Sequence, residues 1–203
     1  MMKKLFGFGL VILAVVIQGF TSFTKPPLYP LKARWMNYHQ LDDKKFTRSS
    51  HLTEVKRISN PITAQLLDSE FAELFYYSPD SSYCIDLFSY SLMLDRDSTG
   101  ELYSSGWDVH SKIDLIMFDQ KKIYELMLCG SSCVFEEIQW LNDSTVQAYG
   151  FENLGDRDFR PFIYEFDILN STQQVMRYDT ILPTWKAKYI ENVSLKGKVR
   201  FEY

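Results

Sequence analysis

Leu115-Ile-Met-Phe-Asp119, Gln120-Lys-Lys122 and Ile123-Tyr-Glu-Leu-Met-Leu128 follow one another without interruption. The outer runs are apolar and rich in residues that favour a pleated surface, and the middle run is a polar turn. The stretch therefore reads as two neighbouring strands joined by a tight connection. The same order returns in Ile163-Tyr-Glu-Phe-Asp167, Ile168-Leu-Asn-Ser-Thr172 and a strand from Gln173 to Tyr178. Working outward, Tyr83 to Leu94, Glu101 to Trp107, Lys112 to Phe118 and Ile123 to Cys129 form one strand series. Val134 to Leu141, Thr145 to Phe151, Pro161 to Ile168 and Gln173 to Tyr178 form a second. The chain is predicted to be mainly β, in keeping with its 15 Phe and 13 Tyr.

The two series superpose. Tyr77-Ser-Pro-Asp80-Ser-Ser82 leads into a strand in the first, as Trp140-Leu-Asn-Asp143-Ser-Thr145 does in the second. The first copy is longer, and its excess falls around Asp95 to His110. This pattern of an aromatic-Ser-Pro-Asp turn, an inner strand and a strand ending in aromatic-Asp resembles the blades of TolB-like β-propellers, over residues 75 to 180. The resemblance implies two antiparallel sheet repeats. Two blades cannot close a ring of about four to eight, so the repeats would pack as a propeller-like fragment or as a different β-sandwich. No enzymatic function follows from such an analogy, because chemistry resides in sites rather than folds.

One amphipathic helix is predicted on the N-terminal side of the strands. Asn60-Pro61 offers an N-cap and a proline at the first helical position, and Ile62, Leu66, Leu67, Phe71, Leu74 and Phe75 recur at helical spacing over 61–76. Such a helix would cover a sheet face or edge. Lys25-Pro26-Pro27 and Tyr29-Pro30 read as an extended entry segment, with a weakly patterned short helix somewhere in 36–57. The tail from Val193 to Tyr203 alternates like a final strand kinked at Gly197.

The chain opens with Lys3 and Lys4 before an uncharged run from Leu5 to Ile17, broken by Gln18 and Gly19. This is the pattern of an export signal, and counted through Phe23 it is also long enough for an uncleaved membrane anchor. Residues 1–22 are accordingly assigned to signal or anchor, 23–60 to a polar segment, and 61–203 to a β-rich globular domain. Both readings of the opening run place that domain outside the cytosol, in the periplasm or at the cell surface. A membrane is expected as a partner only through an uncleaved N-terminal segment. Without Lys3 and Lys4 the remainder holds 20 basic against 26 acidic residues, a balance of −6. Lys44, Lys45, Arg48, Lys56 and Arg57 are interrupted by Asp42, Asp43 and Glu54, so nucleic acid is not an expected partner.

Cys129-Gly-Ser-Ser-Cys133 puts two of the three cysteines at opposite ends of a turn, and an oxidising compartment permits their disulfide. Cys84 is left over in an apolar strand as a buried thiol. A zinc site would need further ligands, and no second paired-cysteine or paired-histidine motif occurs.

Asp95-Arg-Asp97-Ser-Thr99-Gly100-Glu101 carries oxygen-bearing side chains at alternate positions, like the first half of a calcium loop. Gly106 stands where the bidentate glutamate should be, so a polar hairpin tip is the reading adopted. Asp108 and His110 have a spacing that puts them on one face of a strand, but no G-x-S-x-G elbow marks a nucleophile. Glu136-Glu137 and Asp42-Asp43 are adjacent carboxylates; on a regular strand neighbours diverge, so both pairs are expected in solvent. Asn142, Asn170 and Asn192 lie in glycosylation sequons. No cofactor is expected. Together these readings predict an exported, non-enzymatic binding or assembly protein with an envelope protein as partner. Its contact loop would be formed by Asp95, Asp97, Trp107, Asp108 and His110, with Trp107 as anchor. The alternatives are a hydrolase centred on Asp108 and His110, and a calcium-stabilised structural module.

Overall fold

The computed structural model describes residues 30–55, 58–61, 71–108, 110–155, 157–186 and 188–202. Among the described residues fourteen strands form three sheets. β1 (Phe46–Arg48), β2 (Thr53–Glu54) and β3 (Ile58–Pro61) precede the first repeat. That repeat holds β4 (Tyr76–Tyr77), β5 (Tyr83–Asp86), β8 (Lys112–Met117) and β9 (Lys122–Leu128). Between β5 and β8 the chain makes β6 (Leu92–Arg96) and β7 (Leu102–Trp107). The second repeat is β10 (Cys133–Trp140), β11 (Thr145–Asn153), β12 (Phe159–Asp167) and β13 (Thr172–Tyr178). β14 (Arg200–Phe201) is the last strand among the described residues.

The two repeats have the same order. β4, β5, β8 and β9 form one antiparallel meander, and β10, β11, β12 and β13 form the other. The fourth strand of each accepts a strand from the N-terminal side: β3 pairs with β9, and β1 and β2 pair with β13. The excess in the first copy is the β6–β7 hairpin, completed by β14, which runs parallel to β7. The inner faces of both meanders share one core that includes Ile85, Leu115, Phe135, Ile138, Phe162 and Phe166. Strand alternation turns these side chains to the same side, and their burial supplies the main driving force for packing.

Two expectations are corrected, and a third falls mostly outside the described residues. The run from Tyr83 to Leu94 is two strands, because the Asp86 carboxylate accepts the N–H groups of Phe88 (3.2 Å) and Ser89 (3.0 Å) and turns the chain. The helix expected over 61–76 falls mostly on 62–70, outside the described residues. Pro61 pairs with Lys122 in β3, Ala72–Leu74 form one 3-10 turn, and Tyr76 belongs to β4. The α-helix that is described is α1 (Pro30–His39), with Pro30 at its first position and Trp35, Met36 and His39 buried. At the other end, Ile190–Ser194 is a short π-helix rather than strand, and among the described residues of the tail Arg200 and Phe201 are the ones that pair. The expected export segment lies outside the described residues. No helix among the described residues is long and apolar enough to cross a membrane.

Cys129 and Cys133 are bonded, with Cα atoms 5.8 Å apart, across a short 3-10 turn at Gly130–Ser132. Cys84 is fully buried, and burial, reinforced by Asp86, pushes its thiol up to about 12. Denatured, non-reduced protein from its native compartment is therefore expected to titrate one free thiol, and a count of three would refute the bridge.

Candidate functional site

Three polar arrangements stand out. The first is built on Glu136 and Glu137, which were expected in water and are instead 3% and 1% exposed. The cause is a β-bulge in β10: Phe135 pairs with Gly150 and Glu137 with Tyr149, leaving Glu136 without a partner on β11. The extra residue breaks the alternation that would have sent one carboxylate outward. Gly150 makes the bulge possible, since a Cβ there would lie 2.0 Å from the Val134 carbonyl oxygen.

Helix α1 and the C-terminal segment supply the partners. Glu136 Oε2 accepts Trp35 Nε1–H at 2.9 Å and lies 2.9 Å from His39 Nε2, while Oε1 accepts Trp185 Nε1–H at 3.0 Å. Glu137 pairs with the Arg34 guanidinium and accepts the hydroxyls of Tyr76 (3.1 Å), Tyr189 (3.2 Å) and Ser194 (3.1 Å). The His39 ring stacks on Trp185 at 3.8 Å, and Trp35 packs against Tyr149. Burial, with Glu137 adding to it, raises the Tyr76 and Tyr189 hydroxyls well above the usual phenol range. For Arg34, burial works against the charge but Glu137 outweighs it, and the guanidinium is held more firmly protonated than usual. This box fastens both ends of the described chain to β10. With both carboxylates enclosed and their oxygens engaged, its chemistry is cohesion.

The second arrangement crosses the first meander. Asp86 pairs with Asp114, and Asp114 with Glu125, so three carboxylates sit in register on β5, β8 and β9. Lys112 Nζ lies 2.8 Å from Asp114, 3.7 Å from Glu125 and 5.3 Å above the Tyr90 ring. Burial pushes Asp114 up to about 6, with Lys112 opposing the shift, and burial also raises Asp86. Sequence reading missed this row because the three residues meet only through strand pairing.

The third arrangement is the β6–β7 hairpin with β14. Asp97 closes the tip: its Oδ1 accepts Thr99 N–H (2.9 Å), the Thr99 hydroxyl (2.6 Å) and Glu101 N–H (3.0 Å), and its Oδ2 accepts from Arg200 (3.1 Å). The Thr99 hydroxyl is the leading cause that holds the Asp97 carboxyl down at about 2. These oxygens serve the turn itself, as the hairpin-tip reading expected. Asp95 is exposed and accepts the Tyr103 hydroxyl at 3.3 Å. Among the described residues no group of three His, Cys, Asp or Glu side chains could hold a metal ion. Asp108 and His110 do come together, with Asp108 Oδ1 3.1 Å from the His110 amide and 3.3 Å from its Nδ1, both half in solvent. Among the described residues neither side chain hydrogen-bonds a hydroxyl.

Apolar side chains are presented on the same part of the fold. Met93 is 55% exposed, Tyr90 47% and Trp107 37%. The Met93 sulfur lies against Gly106, and the Trp107 ring stacks on Phe201 at 6.4 Å and 18°. Trp107 thus packs on its own sheet and still offers an edge to solvent. Compared with known proteins, the chain matches no family model, no curated protein and no solved structure.

Proposed function

We propose that the protein is an exported, non-enzymatic binding or assembly protein that meets a protein partner through the β6–β7 insert. The observation that carries this reading is the exposure of Met93, Tyr90 and Trp107 on the part of the first repeat that its twin lacks. Neighbouring exposed apolar residues on an insertion are the usual form of a contact patch on a rigid scaffold. Tryptophan and tyrosine are the side chains that most often anchor one. Export is supported by Lys3 and Lys4 before the apolar run from Leu5 to Ile17, and by the Cys129–Cys133 bond, which belongs in an oxidising compartment.

The test is capture of the tagged full-length protein after mild cross-linking in its native envelope, read by mass spectrometry. One reproducible partner is expected, reduced about tenfold by Met93→Ser or Trp107→Ser, the range of a contact worth about 1.4 kcal/mol. Capture that both variants leave unchanged would remove the β6–β7 insert as the contact, and no partner above background would move the assignment to a small-molecule ligand.

A further inference from the structure

We propose that the Cys129–Cys133 disulfide is a two-electron switch that sets the conformation around Asp108, His110 and Ser111, at one end of the contact surface. The inference rests on that surface being the one used, but its core can be tested without a partner.

The geometry converges on Ser111, which is 4% exposed. Its carbonyl accepts the Cys129 N–H at 3.0 Å, and its own N–H donates to the Gly130 carbonyl at 3.3 Å. Its hydroxyl accepts the Phe135 N–H at 3.2 Å. Ser111, just before β8, is thus tied twice to the loop that the disulfide closes and once to Phe135, two residues beyond it on β10. Gly130 also sits beside His110, with a Cβ position 3.8 Å from His110 Cδ2, and holds a left-handed φ of 52°. On the other side, Asp108 N–H donates to the Ser91 carbonyl at 3.0 Å. Asp108 is therefore fixed by the turn before β6, and Ser111 by the disulfide loop. Only the second tether depends on a covalent bond that can be broken reversibly.

The bond is also accessible. Cys129, Ser132 and Cys133 line an open cavity of about 390 Å³ whose other walls include Met127, Leu154 and Tyr164. Cys133 is 6% exposed while Cys129 is half-buried, so an incoming thiolate meets Cys129 first. With a small dithiol as reductant, one thiolate attacks the Cys129 sulfur and Cys133 leaves as a thiolate that takes up a proton. The second thiol of the reductant then displaces Cys129, which is protonated in turn. The products are two protein thiols and one cyclic disulfide of the reductant. Without the bond, the ends of the turn are held only by hydrogen bonds, and the three ties to Ser111 lose their fixed frame.

Amide hydrogen exchange of the full chain before and after treatment with dithiothreitol tests this, with the Cys129→Ser/Cys133→Ser double variant as a permanently open form. Reduction and the double variant are each expected to speed exchange at Ser111, Cys129 and Phe135 by about tenfold or more, with the β11 amides from Val146 to Phe151 unchanged. Unchanged exchange at Ser111 and Phe135 would overturn the switch. Equal acceleration throughout β11 would overturn it too, by making the bond a staple for the whole fold. Where the oxidised protein captures its partner, reduction is expected to weaken capture at least fivefold; full capture by reduced protein would sever the switch from the contact surface. Failure of the oxidised protein to capture any partner counts against the contact surface alone, since the exchange pattern answers for the switch.

Discussion

Replacing Glu137 with alanine is expected to destabilise the fold by about 3 kcal/mol or more, the cost of leaving one partner of a buried charge pair uncompensated. The change would strand the Arg34 guanidinium and remove the acceptor of the Tyr76 and Tyr189 hydroxyls at once, while the Ser194 hydroxyl keeps the Glu136 carbonyl at 2.7 Å. Arg34 is 43% exposed at its side chain and can recover part of its hydration, which keeps the expectation at the lower end of that range. For a domain of this size the loss corresponds to a fall in Tm of roughly 6 to 12 °C. Glu137→Gln keeps an acceptor while removing the charge, and is expected to lie between alanine and wild type. Thermal melts of the three proteins decide the matter. An alanine variant within about 1 kcal/mol of wild type would mean that the carboxylate is not what holds α1 and the C-terminal segment to β10.

The second large effect is expected at Gly150. An alanine methyl there would overlap the Val134 carbonyl oxygen at 2.0 Å and press on Phe135 Cα and Phe162, each at 3.0 Å. Two of these three neighbours are backbone, so the contact cannot be relieved by a rotamer change. β10 would have to move away from β11, and the bulge that turns Glu136 and Glu137 inward would go with it. Overpacking of a well-filled core costs about 1–3 kcal/mol and occasionally more; Gly150→Ala belongs at or above the top of that range. Gly106→Ala serves as the control, since its methyl would meet only the flexible Met93 sulfur at 3.4 Å. Urea melts showing equal stability for the two variants would remove Gly150 from the account of the bulge.

These two positions also show where sequence reading stopped. The second series of strands was legible because alternation and turn residues are local signals, and the matching order of the two meanders followed from laying one series on the other. The disulfide was legible because five consecutive residues contain it. The bulge was not, because its cause is split between Glu136 on β10 and a glycine on β11 that reads like any other strand residue. Helix α1 was passed over for a similar reason. Its apolar pattern is weak, and it stops at Gln40 with a φ of 58° rather than at a glycine or asparagine. What makes it a helix is the place Trp35 and His39 find beside Glu136. At Asn60-Pro61 the helix-start signal gave way to strand pairing, because these two residues lie in β3 beside β9; residues 62–70 of the expected helix lie outside the described residues. The β6–β7 insert was legible by its extra length, but the exposure of Met93 and Tyr90 depends on how the hairpin packs, which spacing alone does not reveal.

Finally, the N-terminal strands are dealt to the sheets crosswise. β1 and β2 serve the second meander, and β3, a few residues later, serves the first. Two copies of one pattern are thereby interlocked rather than strung together. Cutting the chain between the meanders would leave the second without the strands that flank β13, and the first with a surplus pair that has nothing to lie against. The first would also lose β14 from beside β7, so each half depends on strands that the other's stretch of chain supplies.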